Sequence, residues 1–258
     1  MYSEQERTQF LNQIEAFTKD HSEFICLLQI GSGVDGFSDL YSDIDLMAGC
    51  ADKAAVDTAN KNLRSFFIDC GAIYLAHRKW SEDILGISVY FANGLSADLS
   101  FMPVSQIPIA TNRWKMLWSR QHNLETELRK RGNQLPPNHS FINDQFHHNF
   151  FYALRKTEIA IERSNYIYAN IALSEARQQL LKLQAIVEGR NIHQFKAFHT
   201  LSRDFLKALE YTYPKSRDAV EFIRAKEALL SCYVQIIEHN DLCQIEQSQF
   251  QIIHCFSE

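Results

Sequence analysis

The sequence predicts an α+β protein, with strands confined to its first part and an all-α helical bundle in its second. Three observations carry this. Runs and alternations rich in β-formers recur between residues 24 and 101 around a single helical stretch, whereas from 111 onward apolar residues recur at helical spacing in five successive stretches. Charge divides the chain at the same place, with 7 basic and 15 acidic residues up to 110, against 19 and 16 beyond it.

Taken in order, Ser3 followed by Glu6 makes a capping box, and Phe10, Leu11, Ile14 and Phe17 follow at helical spacing, so 4–19 reads as an amphipathic helix. The apolar run 24–30 ends at Gly31 and reads as a strand, 42–48 alternates polar and apolar, and 73–76, 84–91 and 95–101 are further strands, with a helix over 52–69. The segment MPVSQIPIA carries Pro103 and Pro108 and can continue neither a central strand nor a helix. The expected boundary therefore divides the chain into 1–108 and 109–258. Helices are expected over 111–131 and, after the breaker 132–137, over 142–163, 168–188, 195–210 and 216–239, which makes a bundle.

Composition excludes several classes. With 258 residues, 46% hydrophobic and 22% charged, the chain is neither disordered nor of low complexity. The net charge of -5 offers no global attraction to phosphate backbones, so a long nucleic acid is not the default partner. The opening MYSEQERTQF has no apolar segment of the kind a signal peptide needs. The longest apolar stretch falls far short of the roughly 20 residues of a membrane span. Cys26, Cys50, Cys70, Cys232, Cys243 and Cys255 lie far apart without a CxxC pair, which suggests small core residues in a reducing, cytoplasmic setting rather than a zinc site or disulfides.

One stretch stands out chemically. At Gly31-Ser32 a strand ends where the missing side chain lets backbone N–H groups approach an anion and the Ser32 hydroxyl adds a donor, which makes a phosphate seat. Ten residues on, a strand would send Asp43 and Asp45 to one face, and two adjacent carboxylates repel unless a cation bridges them. Mg²⁺ held by one or two carboxylates and substrate phosphates resolves the repulsion. Asp98, an acid inside a strand-like apolar segment, wants a metal or a proton and supplies the third carboxylate.

Gly31-Ser32 followed by SDIDL (42–46), with a later acid on another strand, resembles the nucleotidyltransferases of the DNA polymerase β superfamily over roughly 24–101. Gly31-Ser32, Gly36, Asp39 and Tyr41-Ser42-Asp43-Ile44 are similar to the antibiotic-modifying branch, the lincosamide and aminoglycoside nucleotidyltransferases. RSNYIYANIALSEARQQLLKLQ, within 163–191, resembles the helical domain of that branch. The resemblance implies a mixed sheet flanked by helices in 1–108, carrying an NTP (ATP is the expected one) and two Mg²⁺ ions, and a bundle in 109–258 that completes the acceptor cleft. It implies transfer of a nucleoside monophosphate to a hydroxyl of a small molecule, an aminoglycoside or lincosamide among the expected acceptors. Asp43 and Asp45 would hold both ions, while Asp98 would ligate one ion or take the hydroxyl proton. No second acid lies two residues from Asp98, so Glu82, Asp83 and Asp144 stay open as alternative bases, with Asp98 preferred. Members of the branch often pair as homodimers, and the aromatic-rich helices here would permit it.

A triphosphate needs cations beyond its metals, and the acidic first part has few. Lys182, in the LLKL stretch, is the first candidate and Arg177 the second, while Arg155, Lys156 and Lys196 read as solvated helix surface. His147 and His148 point about 100° apart on a helix and make a poor metal pair. Phe146, Phe150, Phe151 and Tyr152 read as bundle core, and Trp80, Trp114 and Trp118 are open to either a core or a site role. Two other classes compete. An RNA-modifying transferase is opposed by the acidic balance and the lack of a basic run. A non-catalytic sensor or antitoxin-like protein is opposed by the intact Gly-Ser and Asp-Ile-Asp core.

Overall fold

The computed structural model describes residues 2–37, 42–110, 113–134, 138–190 and 196–240. Asp39, Tyr41, Cys243 and Cys255 lie outside the described residues. Two compact units divide the chain, Met1–Leu135 and Pro136–Glu258.

The first unit is built on six strands: β1 (Phe24–Ile30), β2 (Ile44–Cys50), β3 (Tyr74–Lys79), β4 (Leu85–Tyr90), β5 (Ser96–Pro103) and β6 (Lys115–Ser119). They form one sheet in the order β3-β4-β5-β2-β1-β6. Only β2 and β5 run parallel, so the sheet is mixed. Helix α1 (Glu4–Asp20) opens on the capping box, the Ser3 hydroxyl accepting from the Glu6 N–H and the Glu6 carboxylate accepting from the Ser3 N–H at 2.7 Å. Helix α2 (Lys53–Asp69) is capped by Asp52, which accepts from the Ala55 N–H at 2.8 Å. Phe10 and Ile14 of α1 and Val56, Leu63 and Phe67 of α2 bury their apolar faces on the sheet side formed by Ile44, Leu46, Val89, Leu99 and Phe101. Strand alternation therefore sends Asp45, Ser88, Asp98 and Ser100 to the opposite side.

The expected helix over 111–131 is corrected. Its first part is β6, paired with β1, and only Leu124–Asn133 is helical, as α3. The register against β1 shifts between Met116 and Trp118, so Trp114 and Met116 pack in one core and Trp118 in the other, and no period-2 pattern is left to read locally. What decides it is β1, a buried strand whose second edge needs backbone partners. Arg120 locks the return, donating from Nε to the Phe24 carbonyl at 2.9 Å. Pro103 does end β5, yet the chain comes back to the sheet after Pro108, so the units meet at 135/136 and not at 108. On the side away from α1 and α2, Leu124 and Leu128 of α3 pack with Trp114, Leu28, Met102 and Ile107.

The second unit consists of α4 (Asp144–Glu162), α5 (Tyr166–Val187), α6 (Arg203–Glu210) and α7 (Ala219–Glu238). Asn143, Asn165, Ser202 and Asp218 cap them through side-chain oxygens. The expected helix 195–210 begins later, at Arg203, after a 3-10 turn Phe198–Thr200. Phe150 lies at the core and stacks on Tyr233 at 4.3 Å between ring centroids. Phe146 and Phe151 are core as expected, but Tyr152 is exposed and stacks on His148 instead. His147 is buried against the Tyr233 hydroxyl at 2.5 Å, so the two histidines diverge. Cys26, Cys50, Cys70 and Cys232 are free thiols, and burial pushes Cys26 up to about 11 and Cys50 up to about 12. Among the described residues, no helix is long and apolar enough to cross a membrane.

Candidate active site

The end of β1 runs straight into a 3-10 turn, Gly31–Asp35. Gly31 adopts φ +70°, a left-handed conformation that glycine enters without a Cβ penalty. A Cβ there would also run into Asp45 Oδ2 and stand 3.1 Å from its Cγ. The register explains the closeness, because Ile30 pairs with Asp45 across the β1–β2 ladder. The turn expected to seat a phosphate thus shares a wall with the carboxylate expected to hold a metal.

Asp45 pairs with Asp98 across the parallel β2–β5 ladder, and Asp98 pairs with Ser88 across β5–β4. The two carboxylates are therefore neighbours on one sheet face, both half-buried. Asp43 stands just before β2 and not within it, and its Oδ1 accepts from the hydroxyl of Ser96, which shares the Asp98 face. Among the described residues, no three His, Cys, Asp or Glu side chains converge on one point where a metal ion would sit. The three aspartates share a face without forming a closed cage. Asp45 and Asp98 nevertheless match in type and placement the one or two carboxylates that Mg²⁺ takes beside phosphate oxygens.

The backbone leading into Asp43 is pinned from α1. Arg7, 1% exposed, lies over the Phe37 ring at 3.9 Å and donates from Nη1 to the Ser42 carbonyl at 3.2 Å. The Tyr2 hydroxyl donates to the same carbonyl at 3.2 Å. A charged donor and a phenol on one oxygen fix the chain one residue before Asp43.

A cavity of about 190 Å³ opens on this face, walled by Asp45, Asp98, Ser88, Ser100, Arg78 and Trp80. Arg78 Nη2 lies 3.6 Å from Asp98 Oδ1. A larger hollow of about 930 Å³ runs along the polar face of α1, but it is lined by Ser3 and residues of that one helix alone and brings together no facing charges. Trp80, open in the sequence to a core or a site role, lies on the cavity wall, whereas Arg78, Ser88 and Ser100 were not singled out in the sequence. His77-Arg78-Lys79-Trp80 offered a basic strand end as a signal, but which of its side chains share a face with Asp98 depends on register.

Of the alternative bases, Glu82 pairs with Lys79 at 2.6 Å and Asp83 with Lys53 at 3.0 Å. Hydrogen bonds from those lysines hold both carboxyls below their ordinary values, and neither carboxyl lines the cavity that holds Asp45 and Asp98. Asp144 opens α4 in the second unit. Asp98 is the candidate base set beside Asp45.

Arg177 is corrected from an available phosphate-binding cation. It is 5% exposed inside the helical unit, with Nη1 donating to Ser174 Oγ at 3.0 Å, Nε donating to the Thr212 carbonyl at 3.4 Å and the guanidinium 4.1 Å from the Tyr213 ring centroid. Desolvation pulls its pKa down. Lys182 is exposed on α5, while Arg155 and Lys156 pair with Glu158 and Glu175 at 3.0 and 2.8 Å, as surface helix residues do. Lys196 is exposed. Of the tryptophans, Trp114 is core with the Arg129 guanidinium 4.2 Å from its ring centroid, and the Trp118 indole N–H donates to the Thr18 hydroxyl at 3.1 Å.

No protein-family profile matches the chain, and no curated protein matches it. Among solved structures, an aminoglycoside 6-adenyltransferase from Bacillus subtilis is similar over 100% of this chain and 98% of that one, at 16% identity and a TM-score of 0.41. A nucleotidyltransferase-like protein from Exiguobacterium sibiricum 255-15 is similar over 98% of this chain and 87% of that one, at 14% identity and a TM-score of 0.39.

Proposed function

We propose that this chain is a nucleotidyltransferase that moves a nucleoside monophosphate, AMP from ATP, to a hydroxyl of a small molecule and releases pyrophosphate. The observation that carries the reading is the in-register Asp45–Asp98 pair with the left-handed Gly31 turn packed against Asp45. An anion seat beside two adjacent carboxylates is the arrangement that a metal-bound triphosphate needs. Asp43 and Asp45 would hold the Mg²⁺ ions, which leaves Asp98, the third expected ligand, to take the proton. When bound, these ions neutralise charge on the triphosphate and on the attacking and leaving oxygens.

The chain's own groups divide the remaining work. Backbone N–H groups at Gly31-Ser32 and the Ser32 hydroxyl orient the phosphates. Asp98 accepts the proton of the acceptor hydroxyl as its oxygen bonds to the α-phosphorus and the bond to the β-phosphate oxygen breaks, so pyrophosphate leaves with the electron pair. The Arg78 guanidinium beside Asp98 helps fix that carboxylate at the cavity wall. The Arg7 and Tyr2 contacts to the Ser42 carbonyl hold Asp43 in place. Most of the rate enhancement then comes from positioning and charge neutralisation.

The test is pyrophosphate release from ATP and Mg²⁺ with pooled aminoglycosides or pooled lincosamides, comparing wild type with Asp45→Asn. Release with one pool, reduced at least about 10³-fold in Asp45→Asn while the fold is kept, is expected. Normal turnover by Asp45→Asn refutes the assignment.

A further inference from the structure

Resting on the transfer reading above, we propose that Trp80 is the platform for the acceptor, its indole face taking the C–H face of a sugar ring while Ser88 Oγ bonds one of the ring hydroxyls. The sheet order places the two reactants on opposite sides of the carboxylates. From β1 to β3 the face presents the Gly31 turn, Asp45, Asp98, Ser88 and then Arg78, with Trp80 just beyond the strand. Phosphates seated at the Gly31 end leave the β4–β3 end of the cavity for the second reactant.

Two features of that end are unexplained by folding alone. Trp80 is 55% exposed, yet its backbone N–H donates to the Ile84 carbonyl at 3.0 Å and its ring packs against Gly86. A Cβ at Gly86 would stand 2.6 and 2.7 Å from two ring carbons. Gly86 lies within β4, paired with Arg78 on one side and Ser100 on the other, where a glycine weakens the strand. Its bare backbone lets the indole approach the sheet closely at the cavity wall. Next to it Ser88, 1% exposed, presents a buried hydroxyl oxygen that makes no hydrogen bond among the described residues. A buried hydroxyl without a partner is costly, and one on a cavity wall beside a carboxylate is a ligand contact.

An aromatic face flanked by hydroxyls and a carboxylate suits a polyhydroxylated ring, with apolar C–H groups toward the indole and hydroxyls toward Ser88 and Asp98. Arg78 beside Asp98 offsets part of the negative charge. Recognition therefore rests on the ring and its hydroxyls and does not require an ammonium group. A nucleobase would also stack on an indole, so the test separates the two.

Wild type, Trp80→Leu and Gly86→Ala are titrated with kanamycin, lincomycin and adenosine, followed by tryptophan fluorescence and calorimetry. The expected result is quenching by at least one sugar probe in wild type. In Trp80→Leu the quenching is lost and the affinity falls about tenfold, while emission from Trp114 and Trp118 reports an intact fold. Gly86→Ala lifts the ring and weakens the same probe, but adds nothing in the Trp80→Leu background. Equal sugar affinity in wild type and Trp80→Leu, no sugar binding by wild type, or a loss confined to adenosine each overturns the proposal. Trp80-dependent sugar binding without pyrophosphate release from any acceptor would instead refute the transfer reading and leave the platform standing.

Discussion

Replacing Gly31 by alanine probes the junction between the anion turn and Asp45. The substitution places a side chain at φ +70°, which for a non-glycine residue costs about 1–2 kcal/mol. The new Cβ also runs into Asp45 Oδ2 and lies 3.1 Å from Cγ and 3.2 Å from Cβ, so the carboxylate must leave its rotamer, for about 1 kcal/mol more. The total of about 2 kcal/mol corresponds to roughly 7 °C in the midpoint of the first unit. Trp80, Trp114 and Trp118 all lie in that unit, so tryptophan emission in a urea titration reports its unfolding alone. In an Asp45→Ala background the oxygen and Cγ contacts are gone, and Gly31→Ala should then cost only the backbone part, leaving a coupling of about 1 kcal/mol. Equal costs in the two backgrounds would show that the turn and the carboxylate do not meet, and with that the shared wall of the site would fall. Nucleotidyl transfer should drop further than stability does, because the displaced carboxylate is the one assigned to the metals.

Arg7→Met removes a charged donor from the Ser42 carbonyl and should cost about 1–3 kcal/mol. Steady-state kinetics of the folded variant should show kcat falling with KM for ATP nearly unchanged, whereas a KM effect alone would remove Arg7 from the positioning of Asp43. In the helical unit, burial holds the His147 pKa below its ordinary value of 6.5. As pH falls below 6.5 the unfolded chain takes up a proton before the folded one does, so stability present above that value is lost progressively toward the lowered pKa. Urea midpoints measured by circular dichroism from pH 7.5 to 5 should decline in wild type and flatten in His147→Gln; parallel curves would mean that other groups carry the pH dependence.

Much of the first unit was legible because its signals are local. The Ser3–Glu6 capping box, the run 24–30 ending at Gly31 and the helix after Asp52 each depend on residues within one or two turns of one another, and each appears in the structure as expected. The pairing of Gly31 with the acids was also readable, because a turn that needs glycine and strands that would otherwise stay apolar are departures from local rules. The helix expected over 111–131 failed for the opposite reason, since the open edge of β1, more than eighty residues earlier, recruits Lys115–Ser119 as its neighbour.

The site shows the same division. Residue types and spacing along the chain were enough to single out Gly31, Ser32, Asp43, Asp45 and Asp98. Register decided the rest. It set Asp45 directly beside Asp98, brought Arg78 to within 3.6 Å of that carboxylate, laid Trp80 over Gly86 and left the Ser88 hydroxyl on the cavity wall. It was tertiary packing, likewise, that turned Arg177 inward onto Thr212 and Ser174. A strand's side chains change face with a shift of a single residue, and partners brought together from distant segments leave no periodicity in either one.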